Sequence, residues 1–279
     1  MNQLVLTPPL STLWGDTDAF AAAVALGREA ASGAVVRDLE GRRTLRFEID
    51  GRGYYLKLQQ GVGWGRIAGE LLRLRAPILG ASNEWRAIQT CHALRVPTMD
   101  AIAYGERGNG PAKRESFLVT AAIEPAVDLD AYTREWRQSP PAPALKRALV
   151  AEVARIARRM HEGGMNHRDF YLCHFLLHLD PPPTPQRLRL SVIDLHRAQI
   201  RPQTPRRWRD KDLSALYFSA LDIGLTRRDK LRFLRDYFPG PLRETLKHEQ
   251  PLLRHLEKEA ARLKLRYERK FASRPALQK

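Results

Sequence analysis

Asn166-His167-Arg168-Asp169-Phe170-Tyr171-Leu172-Cys173-His174 is the stretch on which the reading of this chain turns. Upstream of it, Leu145, Leu149, Val153, Ile156 and Met160 recur at helical spacing and predict a long helix with one core-facing side, stopped by Gly163-Gly164. Downstream, Phe175-Leu176-Leu177 reads as a short apolar strand. A helix end, a tight turn, a cluster of polar side chains and a strand thus follow one another. Asp169 is placed on a loop anchored at both ends by core elements, which is how a reactive carboxylate is held in a fixed position.

The run has the form H-R-D-x-x-x-x-N of a kinase catalytic loop, with His174 in the Asn place. Phosphoryl transfer asks a protein for a cation on the nucleotide phosphates, carboxylates on Mg²⁺, and a base beside the acceptor hydroxyl. Asp169 is the candidate base, with Arg168 beside it in the catalytic set, and His174 is the candidate ligand on the metal or phosphate side. Asp194, 25 residues on at the end of the β run Ser191-Val192-Ile193, stands where a kinase places the carboxylate that holds Mg²⁺. Lys57 lies on the third β run with Tyr55 on the same side. Glu84 follows 27 residues later at the start of a helix, where its carboxylate can pair the ammonium that grips the phosphates of ATP. Arg42 and Thr120 complete the candidate nucleotide set, and Asp212 opens the segment DLSALYF in the same kinase order. A lone Lys in an amphipathic strand is ordinarily solvated, and a lone HRD is common by chance. The ordered set is what gives these residues their chemical meaning.

The segments on either side predict an α+β, two-lobed, protein-kinase-like fold. Residues 16 to 30 read as a short amphipathic helix capped by Asp16. GAVVRDLE, TLRFEID and YYLKLQ follow as a three-stranded meander punctuated by Gly41 with Arg42 and by Gly51 to Gly53. ASNEWRAIQTCHAL is a helix with Ser82 or Asn83 able to cap it, and AIAYGE and SFLVTAA are strand-like. A linker is expected near residues 121 to 128, so the β-rich N-lobe is 1–124 and the helix-rich C-lobe 125–279. Two short β runs, HFLLHL and RLRLSVIDLH, are followed by helices and a basic amphipathic tail. Trp64 in GVGWGRI is expected on a glycine-rich loop in contact with lipid or substrate, or else in the core.

Composition limits the partners. The chain carries 47 Lys and Arg against 31 Asp and Glu, a formal +16, which favours polyanionic partners such as anionic lipid, phosphorylated sugar or nucleic acid. The excess leans to the C-terminal third, with 11 basic against 5 acidic side chains from Pro241 onward. Cys91 and Cys173 are the only cysteines, so neither a disulfide framework nor a zinc site is indicated and a reducing cytosol is expected. The first residues read neither as an export leader nor as a membrane span.

Departures from the general kinase pattern are equally informative. No G-x-G-x-x-G joins the first strands, only Gly41-Arg42-Arg43, so phosphate cover falls to backbone amides and these arginines. Asp194 is followed by Leu195-His196, and nothing like an activation segment separates it from Asp212, so regulation by phosphorylation there is not expected. Arg197, Arg201, Arg206 and Arg207, with Arg209, follow the metal carboxylate on the acceptor side, where guanidinium forks bind phosphate or carboxylate. The tail, with Leu252, Leu256, Leu263 and Tyr267 on its apolar side, fits either an anionic membrane surface or packing on the C-lobe.

MNHRDFYLCHFLL, ASNEWRAI, IDLHRAQIR and KDLSALYFSALDIGLTRRD together resemble the lipopolysaccharide core heptose(I) kinases of Gram-negative bacteria, over roughly residues 33 to 240. The resemblance implies ATP-dependent phosphorylation of the first inner-core heptose at the cytoplasmic face of the inner membrane. It matches Asp169 to the family's catalytic Asp and Lys57 to its nucleotide-binding Lys. The expected cofactors are ATP and Mg²⁺, the expected substrate is lipid-linked inner core, an acidic protein partner suits the charge, and no nucleic acid is expected. Two alternatives remain at this level: the same fold acting on another sugar or on protein, and a basic binding module with a degenerate kinase fold.

Overall fold

The alternation in Arg52–Gln59 has a direct structural outcome: Tyr54 and Leu56 are buried on one face of the strand, while Tyr55 and Lys57 turn to the other. The computed structural model describes residues 3–29, 34–39, 42–59, 61, 63–72 and 80–272. In chain order the elements are β1 (Gln3–Leu6), α1 (Leu10–Trp14), α2 (Ala19–Glu29), β2 (Val35–Leu39), β3 (Arg42–Ile49), β4 (Arg52–Gln59), α3 (Gly63–Leu72), α4 (Ser82–Ala93), β5 (Ala101–Arg107) and β6 (Glu115–Ala121). Then come β7 (Ala126–Asp128), α5 (Leu129–Thr133), α6 (Pro143–Glu162), β8 (Met165–Asn166), β9 (Phe175–His178), β10 (Leu190–Val192) and β11 (Gln199–Ile200). The last are α7 (Arg206–Ser219), α8 (Arg227–Tyr237), α9 (Leu242–His248) and α10 (Gln250–Ala272).

Two compact units result. The first comprises Met1–Ala93, Thr98–Glu124 and Asp194–Ala198. Its six-stranded antiparallel sheet runs β1-β5-β6-β4-β3-β2. One face buries Leu45, Leu56, Phe117 and Val119 against Leu10, Ala19 and Ala23 of α1 and α2. Phe117 takes the edges of Trp14 and Phe20 at 5.9 and 5.0 Å. Gly105 makes that packing feasible, since a Cβ there would lie 2.3 Å from the Phe117 ring. The other face carries α4, whose Ala87, Ile88 and Cys91 are buried and whose Trp85 stacks on Tyr104 at 5.2 Å.

The second unit comprises Leu94–Pro97, Pro125–Ile193 and Gln199–Lys279. Leu149, Val153, Ile156 and Met160 line the inner side of α6, as their spacing requires, and Pro143 opens that helix, where a missing N–H costs nothing. Small antiparallel sheets, β10-β9-β7 and β11-β8, flank the loop between β8 and β9. Gly164 enters that loop at φ +78°, and a Cβ there would stand 1.9 Å from the Arg201 carbonyl oxygen. The Arg201 N–H in turn donates to the Gly164 carbonyl at 2.9 Å, so only glycine fits this crossing. α10 packs on α7, burying Leu252 and Ala260 and leaving Leu265 and Tyr267 exposed. No helix among the described residues is long and apolar enough to cross a membrane.

Several local expectations are corrected. The cap of α2 is Asp18, not Asp16: its Oδ1 accepts the N–H groups of Phe20 and Ala21 at 2.9 and 3.2 Å. The segment around Trp64 is the helix α3 and not a loop, and Trp64 is exposed, not core. Residues 126–128, read as linker, form a strand, and Asp128 caps the helix that follows. β1 and α1 were not anticipated at all. Arg206, Arg207 and Arg209 lie in the first turn of α7. Gly41, assigned to the first hairpin turn, lies outside the described residues.

Candidate active site

In the second unit the loop that carries Asp169 is held from below by a buried carboxylate. Asp212, fully buried on α7, accepts the backbone N–H of Arg168 at 2.8 Å and that of His167 at 2.6 Å. His161 Nε2 donates to the same carboxylate at 3.4 Å, and the Tyr237 hydroxyl donates to His161 Nδ1 at 2.7 Å. Burial raises the Tyr237 phenol above its ordinary range, which keeps it a donor. The support is needed, because Arg168 sits at φ +76°, a conformation that costs a residue with a Cβ about 1–2 kcal/mol. Next to it, His167 Nε2 donates to the Ile193 carbonyl at 3.0 Å and stacks on His174 at 5.5 Å.

His174 Nδ1 donates to the backbone carbonyl of Asp169 itself at 2.6 Å. A carbonyl only accepts, so this bond fixes the proton on Nδ1 and gives Nε2 the lone pair of the neutral ring. The residue in the Asn place therefore braces the backbone of the candidate base. Arg168, expected beside the base, lays its guanidinium over Trp208 at 5.5 Å.

In the first unit Lys57 and Glu84 meet at 2.5 Å, with the two side chains 14% and 1% exposed. A carboxylate this buried requires the ammonium, and the ammonium is thereby held to one position on the sheet face. Thr120 is buried on β6 opposite Tyr55, and Arg42 lies at the hairpin end of β3 with its Nε buried and unbonded among the described residues. Asp194 adopts left-handed backbone angles, φ 61° and ψ 50°, and its Oδ1 accepts from His196 Nδ1 at 2.5 Å.

The arginines expected on the acceptor side divide. Arg201 is tied to Asn166 Oδ1 and Gln199 Oε1, both at 2.8 Å, and so braces the strands beside the catalytic loop. Arg206 is 74% exposed at the start of α7, 3.7 Å from Glu249, and Arg207 is exposed beside it. Trp208 gathers Arg168, Arg201, Arg207 and Lys211 around its ring at 5.3 to 5.8 Å, a concentration of positive charge next to the catalytic loop. Arg197 belongs to the first unit, in the short 3-10 turn after Asp194.

Residues 27–237 match the lipopolysaccharide kinase (Kdo/WaaP) family. The chain belongs to that family. It is 58% identical over 268 residues to the lipopolysaccharide core heptose(I) kinase WaaP of Pseudomonas aeruginosa, covering 96% of this chain and 97% of the relative. With the enzyme of the same name from Escherichia coli K12 it shares 49% identity over 265 residues, covering 95% and 98%. A solved structure of WaaP in complex with acyl carrier protein superposes with a TM-score of 0.81 at 54% identity, covering 94% of this chain and 99% of that one. The fold is thus protein-kinase-like, with a β-sheet N-terminal unit and a helical C-terminal unit, and this Kdo/WaaP family member is a kinase that uses ATP.

Sequence reasoning left out Asn83, His196 and the supporting role of Asp212. Asp212 offered a signal, an acidic residue entering the apolar run Leu213 to Leu216. Asn83 was one of two possible caps, with Ser82 the other. The Asn83 amide instead donates to the carbonyls of His196 and Ala198, 113 and 115 residues away.

Proposed function

We propose that this chain transfers the γ-phosphoryl group of ATP to a hydroxyl of the first heptose of the lipopolysaccharide inner core, at the cytoplasmic face of the inner membrane. The observation that carries the reading is the bracing of the Asp169 loop by Asp212, a buried carboxylate spent on two backbone N–H groups of the HRD run. The relatives' shared name supplies the acceptor. In this reading Asp169 accepts the proton of the heptose hydroxyl as its oxygen bonds to the γ-phosphorus. The bond from that phosphorus to the bridging oxygen breaks, and ADP leaves with the electron pair. Lys57, fixed by Glu84, holds the nucleotide phosphates.

Among the described residues no three His, Cys, Asp or Glu side chains gather into a metal cage. Mg²⁺ in phosphoryl transfer does not need one, since it takes one or two carboxylates and completes its shell with phosphate oxygens and water. The partly exposed carboxylate of Asp194, oriented by His196, fits that requirement. When bound there, Mg²⁺ would neutralise charge on the transferring phosphate.

An acidic protein partner is part of the same proposal. The +16 charge favours one, and the second unit holds an apolar cavity of about 400 Å³, lined among others by Leu149, Leu216, Leu246 and Leu252, of a size to take an acyl chain.

Purified protein incubated with ATP, Mg²⁺ and dephosphorylated core acceptor tests the reading by tandem mass spectrometry of the product. Phosphate on the first heptose is expected; phosphate on another sugar, or none, would refute it.

A further inference from the structure

α4 presents two consecutive side chains to two different parts of the nucleotide half-site. Glu84 pairs Lys57 at 2.5 Å. Asn83, one residue earlier, gives one N–H of its amide to the His196 carbonyl at 2.8 Å and the other to the Ala198 carbonyl at 2.9 Å. Both partners only accept, so the amide orientation is fixed by chemistry. The turn so held is the one whose His196 Nδ1 grips the Asp194 carboxylate. A continuous chain of polar contacts therefore runs from Lys57 through Glu84, along one helical step to Asn83, and through the 195–198 turn to Asp194.

We infer that Asn83 is a positioning residue, which locks the turn carrying the Asp194 carboxylate to the helix carrying the Lys57 partner and so holds the nucleotide half-site in its working arrangement. The inference rests on the phosphoryl-transfer reading above. In regulated kinases the helix bearing the glutamate and the metal carboxylate are brought into place by a phosphorylated activation segment. Here Asp194 and Asp212 are separated by a short 3-10 turn, β11, the connection 201–205 and the start of α7, 17 residues in all. The two hydrogen bonds of Asn83 take over the task, so the site is set without a covalent switch. No feature of the chain's sequence near Asn83 signals this, because the partners are backbone carbonyls distant in sequence.

Asn83→Asp separates the role from folding. The carboxylate removes both donors and faces two carbonyl oxygens with negative charge, yet an acidic residue in the first turn of a helix favours that helix. Asn83→Ala removes the contacts without repulsion and serves as the second variant. The full chain is titrated with ATP in EDTA and with ATP plus Mg²⁺, and amide exchange of residues 195–198 is followed in metal-free, nucleotide-free protein. Losing two hydrogen bonds to the turn is expected to accelerate exchange there by about tenfold or more in both variants, with the melting temperature near wild type. ATP binding without metal, which depends on Lys57, is expected to hold. The tightening that Mg²⁺ brings in the wild type is expected to fall by about tenfold. Unchanged exchange at 195–198 with a full Mg²⁺ effect in the variants would overturn the inference, as would a wild type whose ATP affinity ignores Mg²⁺. An equal loss of ATP affinity with and without metal, together with a lowered melting temperature, would show a merely structural residue and also overturn it. Wild-type protein that binds MgATP as described but phosphorylates no heptose would sink the acceptor reading and leave this one standing.

Discussion

The backbone N–H of Arg168 donates to the carboxylate of Asp212 at 2.8 Å, which fixes the strained turn from which Asp169 projects. The second Asp212 oxygen serves His167 at 2.6 Å, so both oxygens are committed. Asp212→Asn keeps one acceptor and turns an NH₂ group toward the other N–H. The orphaned donor is expected to cost about 1–3 kcal/mol. Urea denaturation measures that loss, and initial rates should show kcat falling while the KM for ATP stays close to wild type. Wild-type stability in the Asn variant would mean the loop is held by other contacts.

Lys57 and Glu84 form a pair in which one partner alone is worse than neither. Lys57→Met leaves a carboxylate only 1% exposed without its cation, at an expected cost of about 3–5 kcal/mol. The double variant Lys57→Met/Glu84→Met is expected to recover most of that stability, because apolar side chains of similar length tolerate the site. ATP affinity should stay lost in both. Recovery of ATP binding in the double variant would take the phosphate-gripping role away from Lys57.

Asp229 offers a pH test. Burial acts against its charge, but the Thr226 hydroxyl and N–H and the Lys146 ammonium outweigh it, and its pKa lies below the ordinary 3.8. A carboxyl depressed in the folded state stabilises at pH values above its unfolded pKa, and that contribution disappears as pH falls through the folded value. The wild type is therefore expected to lose stability on acidification below about pH 4 more steeply than Asp229→Asn. Thermal melts between neutral pH and pH 3 would show it, and parallel curves would contradict it.

On the acceptor side, Arg206→Ala/Arg207→Ala is expected to raise the KM for lipid-linked core by about ten- to a hundredfold with little change in the KM for ATP, as charge-assisted hydrogen bonds of ~1.5–3 kcal/mol are removed. Added salt should reproduce part of the effect in wild type, since Arg206 is 74% exposed. Arg201→Ala should behave differently and lower stability, because its guanidinium bridges Asn166 and Gln199. An unchanged acceptor KM in the double variant would make these residues solvated surface.

What was legible in the chain follows from how each residue acts. In the proposed function Lys57, Asp169 and Asp194 act through charge on a nucleotide and an acceptor, and charges in a fixed order are readable one by one. Strands such as β4 announced themselves by alternation and α6 by its period. Asn83 and His161 act through the orientation of partners that lie far along the chain, and no local pattern encodes that; His196 acts on Asp194 two residues away, a contact set by the left-handed turn at Asp194. The helix α3 was misread because Gly63, Gly65 and Gly69 weaken helix propensity. Asp16 and Asp18 are both good caps by composition, and only the observed hydrogen bonds to Phe20 and Ala21 choose between them.

Asp169 as the base of a heptose kinase is tested most directly by comparing wild type with Asp169→Asn on dephosphorylated inner core with ATP and Mg²⁺, following phosphate on the first heptose by mass spectrometry. The Asn variant should melt and bind ATP like wild type and transfer phosphate about 10²–10⁴-fold more slowly. A folded Asp169→Asn protein that phosphorylates the heptose at the wild-type rate would contradict it.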